Sequence, residues 1–349
     1  MLIHNLLLYT GLFLVAATVI PFIRHDYWIF RVFEYPRLQK LTLSILIFGT
    51  ILICFPPIGF WQTALSICLF INICYLSYLI LPYTVFGKKQ LISSKNPVND
   101  NNINILIANV YQENKKSKDY HKLIKRYQPD LVLMVETNLW WQKEMDSLSA
   151  TYPYQILEPL ENTYGMLMYS KFPVEGKIHY LVEPDIPSII AEVSLASGQR
   201  VKLFCLHPKP PVPQENPRST ERDKEILLAA TMAKESKLPV IVMGDLNDVA
   251  WSYTTELFGK ISGLLDPRRG RGFFNSFNAK YFFLRFPLDH IFCSSNFSLK
   301  SIKRLERCGS DHFPMGVNLE FAPQVEKFNE HLVPTSEEVE TAEEKLNAV

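Results

Sequence analysis

Apolar residues follow two regimes along this chain. From Leu2 to Pro82 they run almost without interruption, mostly Leu, Ile, Phe, Val and Ala, whereas from Lys88 onward they come in short runs separated by charged stretches. In the first regime Leu6 to Ile23, Leu41 to Ile58 and Trp61 to Leu81 come close to the roughly 20 residues a helix needs to cross bilayer hydrocarbon. In lipid such segments must satisfy their backbone groups internally, so each is expected to be helical, with Pro56 and Pro57 turning the chain between the second and third. No basic stretch precedes the first run, which argues against a cleaved signal peptide.

The second regime predicts an alternation of strands and helices. Ile103 to Val110, Leu131 to Val135, Tyr164 to Tyr169, Ile189 to Leu195, Val201 to Leu206 and Val240 to Met243 have strand-like composition. Leu288 to Cys293, Leu299 to Leu305 and Met315 to Phe321 add three more, while Lys115 to Tyr127 and Thr220 to Lys234 read as helices. That order suggests mixed sheets rather than a doubly wound parallel one. Residues 1–87 are therefore expected to be a three-helix transmembrane anchor, 88–102 a linker, 103–322 a catalytic domain and 323–349 an acidic, frayed or disordered tail.

Charge adds orientation. Arg24, Arg31, Arg37 and Lys40 lie between the first two apolar runs and Lys88, Lys89 and Lys95 follow the third, but the N-terminus before Leu6 and the Pro56-Pro57 turn carry no basic residue. The positive-inside bias then puts the soluble domain in the cytoplasm. A net charge of +1 neither announces nor excludes nucleic acid. Six cysteines without a CxxC spacing exclude a zinc ribbon and predict free thiols.

Polar residues close several of the apolar runs: Asn109, Glu136, His207, the Gly244-Asp245-Leu246-Asn247 stretch and Ser310-Asp311-His312; Asp289-His290 opens another. Phosphoester hydrolysis needs oxygen ligands for a hard cation, a group that handles a water proton and donors for charge on phosphorus, and these residues supply all three. No nucleophile elbow, P-loop or HExxH competes.

In this order, with Ala108-Asn109, Val135-Glu136-Thr137, Tyr164-Gly165 through Ser170-Lys171, Leu206-His207-Pro208, Leu288-Asp289-His290 and Gly309-Ser310-Asp311-His312, the chain resembles the endonuclease/exonuclease/phosphatase superfamily. Trp28 to Gln39, with its Tyr35-Pro36-Arg37-Leu38-Gln39, further resembles the connection between the first two spans of membrane-bound bacterial members.

The resemblance implies a four-layer α/β sandwich, two packed mixed sheets flanked by helices, after three transmembrane helices. It also implies a bacterial inner-membrane protein. Glu136, with Asn109 and Asp311, resembles the ligand set for Mg²⁺ or Mn²⁺. His312 resembles the general base or acid oriented by Asp289, Asp245 the residue that orients or deprotonates water, and Asn247 and His207 the groups on the phosphoryl oxygens or leaving group. The implied reaction is metal-dependent hydrolysis of a phosphodiester, as in endonucleases; a phospholipid or small phosphomonoester phosphatase and a non-catalytic membrane scaffold are the alternatives. Partners are the bilayer and a phosphoester substrate, nucleic acid or phospholipid, with no obligate protein partner. Arg268 to Gly272 is a candidate polyanion contact, His290 has no role, and His121 and His179 are expected in solvent.

Overall fold

A computed structural model describes residues 2–54 and 59–348, so the turn expected at Pro56 and Pro57 lies outside the described residues. The N-terminal part consists of α1 (Leu2–Val19), the single turn α2 (Trp28–Arg31), α3 (Arg37–Cys54) and α4 (Phe60–Ile80). Three stretches, Leu2–Ile23, Arg37–Cys54 and Phe60–Tyr83, are long and apolar enough to cross a bilayer. They pack through Leu14, Ile47, Ile51 and Leu69, and Asn72 donates to Ser44 Oγ at 3.0 Å between α4 and α3.

Next come β1 (Asn102–Asn109), α5 (Ser117–Tyr127), β2 (Leu131–Val135), α6 (Leu139–Met145), β3 (Tyr154–Glu158), β4 (Met166–Ser170), β5 (Val174–His179) and β6 (Ser188–Ser194). β7 (Arg200–Leu206), α7 (Thr220–Glu235), β8 (Val240–Asp245), α8 (Tyr253–Ser262), β9 (Asp289–Cys293), β10 (Phe297–Arg304), β11 (Met315–Phe321) and α9 (Ser336–Leu346) complete the chain.

One sheet has the order β10-β11-β1-β2-β4-β3 and the other β5-β6-β7-β8-β9. Both are mixed: β1 runs parallel to β2, β7 parallel to β8, and the remaining pairs are antiparallel. Because strand side chains alternate between faces, Ile103, Ile105 and Ile107 of β1 point into the layer shared with Ala191, Leu203 and Met243 of the second sheet. Leu106 and Ala108 instead meet α5 and α6, and Val240 and Val242 meet α7 and α8. The result is the expected four-layer sandwich.

Three expectations need correction. Residues 88–102 are not a loose tether: Leu91 is fully buried, Ile92 N–H donates to Asn329 Oδ1 at 2.8 Å, and Ser93 bridges to Leu299 of β10. The tail is not frayed, because Thr335 and Glu338 form a capping box at the start of α9, which buries Ala342 against α7 and α8 and sends Lys345 to Asp223 at 2.6 Å. The basic loop is not a free polyanion contact. Arg268 is 1% exposed and forks onto Asp266, and Arg271 donates to Leu91 O.

Candidate active site

The two parallel strand pairs bring their C-terminal ends to one edge. Asn109 ends β1, Glu136 follows β2, His207 follows β7 and Asp245 ends β8. Carboxyl ends of parallel strands are where open α/β sheets bind ligands. Asp289 joins them because it pairs directly across from Asp245 in the β8–β9 register, so both side chains leave the same face.

Two glycines permit the close approach. A Cβ on Gly244, at φ +140°, would sit 2.0 Å from Leu206 O, and one on Gly165 would sit 1.8 Å from Thr137 O. The first lets Asp245 turn off its strand beside β7, and the second seats the Tyr164-Gly165 turn against the backbone beyond Glu136. Glu136, Asn247 and Tyr111 all adopt left-handed backbone, at φ +58°, +50° and +58°. Strain of this kind persists only where the surroundings fix it, and here it clusters at the pocket.

The buried groups touch one another. Asn109 Nδ2 donates to Glu136 Oε1 at 2.6 Å and to Asp245 Oδ2 at 3.0 Å, while its Oδ1 accepts from Tyr111 N–H at 3.0 Å. His312 Nδ1 lies 2.8 Å from Asp289 Oδ2, and its Nε2 lies 3.6 Å from Asp245 Oδ2. Asp289 Oδ1 is buried and meets no donor. Burial pushes Glu136 up to about 7, against the pull of His312 and Asn109. Burial, with Asp289 opposite, also raises Asp245 despite the attraction of His312. For His312 burial works against the charged form, but Asp289, Asp245 and Glu136 together push it up to about 10, which favours the protonated ring.

Asp245, Asp289 and His312 bring a ligand atom each within 4.8 Å of one another, the spacing of a metal site. Within that trio His312 Nδ1 is already engaged by Asp289 Oδ2 at 2.8 Å, which makes the two a dyad. Beside it the amide of Asn109 supplies the positive end of a dipole to the carboxylates of both Glu136 and Asp245. The oxygen donors present, and the unmet Asp289 Oδ1, suit a hard divalent ion.

The remaining candidates occupy the rim. Asn247 lines the pocket, its Nδ2 donating to Pro208 O at 2.9 Å and its own N–H to Asp245 Oδ1 at 3.0 Å. His207 is buried and lowered to about 4 by desolvation, which leaves a neutral ring 5.2 Å from that of Tyr164, with Nδ1 unpartnered. Asp311 lines the pocket but faces Lys280 at 3.5 Å, outside the tight cluster. His290 is structural, held between Arg268 at 2.7 Å and Asp248 O at 2.8 Å, and His121 sits on the surface against Glu144 O.

The pocket, about 560 Å³, is completed by residues assigned no site role from the sequence: Trp28, Arg31, Val32 and Tyr35 from the connection between the first two long helices, and the Pro210–Glu215 loop. The Pro210-Pro211-Val212-Pro213 run was a readable sign of a stiff loop. A wider depression of about 730 Å³ on β5 to β7 and the end of α7 gathers only scattered charges such as Glu175, Lys177 and Lys237.

Residues 102–312 match the model of the endonuclease/exonuclease/phosphatase family. Comparison with curated proteins finds no match. Among solved structures, D. rerio TDP2 complexed with a single-strand DNA product is similar, with 18% identity over 63% of this chain and 99% of that one at a TM-score of 0.51. An endonuclease/exonuclease/phosphatase from Bacteroides vulgatus shows 17% identity over the same shares at 0.51. The human Nocturnin catalytic domain with bound sulfate shows 16% identity over 65% of this chain and 97% of that one at 0.50. At these identities the likeness concerns the fold.

Proposed function

The chain belongs to the endonuclease/exonuclease/phosphatase family of phosphoester hydrolases, and on that premise we propose that it is a membrane-anchored phosphodiesterase dependent on a divalent metal, Mg²⁺ or Mn²⁺. The observation that carries the reading is the contact network that joins Glu136, Asp245, Asp289 and His312 where the strand ends of the two sheets meet. Glu136, with Asn109 beside it, would hold the ion. Bound there, it supplies Lewis-acid charge against the phosphoryl oxygens.

The chain's own groups account for the proton movements. Asp245, raised by burial, orients the attacking water and accepts its proton. His312, fixed by Asp289, presents Nε2–H to a phosphoryl oxygen or to the departing oxygen. Asn247 and neutral His207 line the side on which charge on phosphorus develops. The water oxygen bonds to phosphorus, the ester P–O bond breaks, and the alkoxide leaves with the proton from the imidazolium. One phosphodiester and one water give a phosphomonoester and an alcohol.

The full chain in detergent with Mg²⁺ should hydrolyse bis-p-nitrophenyl phosphate, and a chelator should stop it. His312→Ala and Glu136→Ala should each cost about 10³-fold or more in kcat, the scale of losing a group that acts in the transition state. Equal rates in wild type and both variants end the reading.

A further inference from the structure

We propose that the segment joining the first two long helices is a wall of the active site, and that it selects a phosphodiester carried by an amphiphile whose tail stays in the bilayer. This rests on the phosphodiesterase reading and adds a substrate class to it. The segment is docked rather than draped. Trp28 N–H donates to Pro217 O at 2.8 Å, Tyr27 bridges to Arg218, and Trp251 Nε1 donates to Glu34 O at 3.0 Å. Tyr35 Oη donates at 2.8 Å to the carbonyl of Asn247, a pocket residue. The segment therefore sits where substrate must enter, on chain that leads directly into two apolar spans.

The chemistry of the wall points away from a polynucleotide. A nucleic-acid groove needs several cations spaced along a backbone. Among the residues lining this pocket, Arg31 is the one Lys or Arg, and it comes from the connection itself. It is 2% exposed and already engaged with Asp223 at 3.4 Å and Glu34 at 3.8 Å, so the lining offers no row of free cations to a polyanion. Around it the wall is apolar: Trp28, Val32 and the Pro210–Pro213 turn on one side, Phe277 and Leu288 on the other.

A second feature ties the pocket to the bilayer level. The Phe277 ring lies tilted at 47° with its centre 4.9 Å from that of His312, and Phe277 pairs through its backbone with Phe286. The loop between them carries Tyr281, Phe282, Phe283 and Leu284, all exposed, with Phe282 at 77%. Gln39, in the first turn of α3, donates to Phe283 O at 2.9 Å and so holds that aromatic tip beside the end of an apolar span. Aromatic side chains favour the membrane interface. One loop thus connects the reacting imidazole to a surface placed to dip into lipid, and an amphiphile can reach the pocket without leaving the bilayer.

The test uses the full chain with Mg²⁺ and three probes: bis-p-nitrophenyl phosphate, plasmid or single-stranded DNA, and proteoliposomes of phosphatidylethanolamine and phosphatidylglycerol. Wild type should turn over the vesicle lipid faster than DNA. Val32→Asp, at a half-exposed position, should lower the ratio of lipid to bis-p-nitrophenyl phosphate turnover at least tenfold. Phe282→Ser with Phe283→Ser, on an exposed tip where folding is safe, should lower it several-fold. Faster turnover of DNA than of lipid overturns the inference while the phosphodiesterase reading stands, as does an unchanged ratio in both variants. Failure to hydrolyse any of the three probes removes that reading and the inference with it.

Discussion

Two clusters of buried charge lie on either side of the Gly244–Asn247 turn, and they differ in balance. On the pocket side Glu136, Asp245 and Asp289 face one imidazolium. On the other side Glu34, Asp223 and Asp248 are met by Arg31, Arg37, Arg222 and Lys345, with contacts from 2.6 to 3.8 Å. Both clusters are desolvated, and both shift pKa values, so burial and perturbation do not separate function from support. Balance does. Charge removed from water must be compensated, and the second cluster compensates its own, whereas the first leaves an excess of carboxylate that a cation from outside would complete.

The largest expected effect breaks the first cluster. Asp245→Asn keeps the shape but cannot take a proton, and kcat on bis-p-nitrophenyl phosphate should fall about 10³-fold with little change in KM. The same substitution relieves carboxylate crowding. In chelator the variant should melt higher than wild type, by about 2–4 °C for each kcal/mol gained. Asp223→Asn, the identical change in the balanced cluster, should do the opposite. It strands Arg222, Lys345 and Arg31, at a cost of about 3 kcal/mol. Melting curves of the full chain in one detergent, with chelator, give both signs, and a shared sign would dissolve the distinction between the clusters.

Sequence reading reached the first cluster and missed the second for a physical reason. Asn109, Glu136, His207 and Asp245 each follow an apolar strand run, so hydrophobic pattern and chemistry mark them together. The four layers followed only from the family resemblance, whereas the mixed sheets were legible for the same reason, since β1, β2, β7 and β8 are continuous apolar runs. β3 and β5 were not, because Tyr154–Glu158 and Val174–His179 are short, and β5 is half exposed. Arg31, Arg37 and Lys40 looked like free charges setting orientation. They are buried, and Lys40 Nζ donates to Ala17 O at 3.0 Å and Phe33 O at 2.8 Å, a use that only tertiary contact reveals. Asp248 adjoins the recognised motif but is neither periodic nor at a strand end. Its partner Arg222 lies on a helix whose pattern gives no sign of a buried cation.

A lone buried carboxylate separates burial from balance. Glu225 on α7 accepts a hydrogen bond from Ser188 at 2.7 Å, and burial pushes it up to about 7 from 4.5. Between those values the folded chain keeps a proton that the unfolded chain has released, so stability falls as pH rises through the window and levels off above 7. Asp223 behaves differently. Burial opposes its charge, but Lys345, Arg222 and Arg31 hold it far below 3.8, so its contribution is constant between pH 5 and 8 and fades only in strong acid. Glu225→Gln should therefore flatten part of the decline between pH 5 and 8, a gain at pH 8 of about 1–2 kcal/mol after allowing for relaxation around the site. Melting temperatures at pH 5, 6, 7 and 8 read it, and a variant that tracks wild type at every pH would deny Glu225 this part.

The smallest effect lies where the clusters meet. The carbonyl of Asn247 accepts from Tyr35 Oη at 2.8 Å and from Arg222 Nη1 at 2.9 Å, so the supporting cluster grips the catalytic turn by one atom. Burial pushes the Tyr35 phenol far above its ordinary value, which keeps it a donor at any working pH. Tyr35→Phe removes one of two donors and leaves Arg222 in place, for about 1 kcal/mol or less. If the grip only stabilises, the melting temperature drops slightly and kcat stays. If it also positions Asn247, kcat falls several-fold while KM moves little, because the loss concerns the placement of a group on phosphorus more than substrate uptake. Tyr35→Phe combined with Asp223→Asn sharpens the choice: a melting shift equal to the sum of the single variants makes the two contacts independent, and a larger one makes the dock and the turn a single coupled unit.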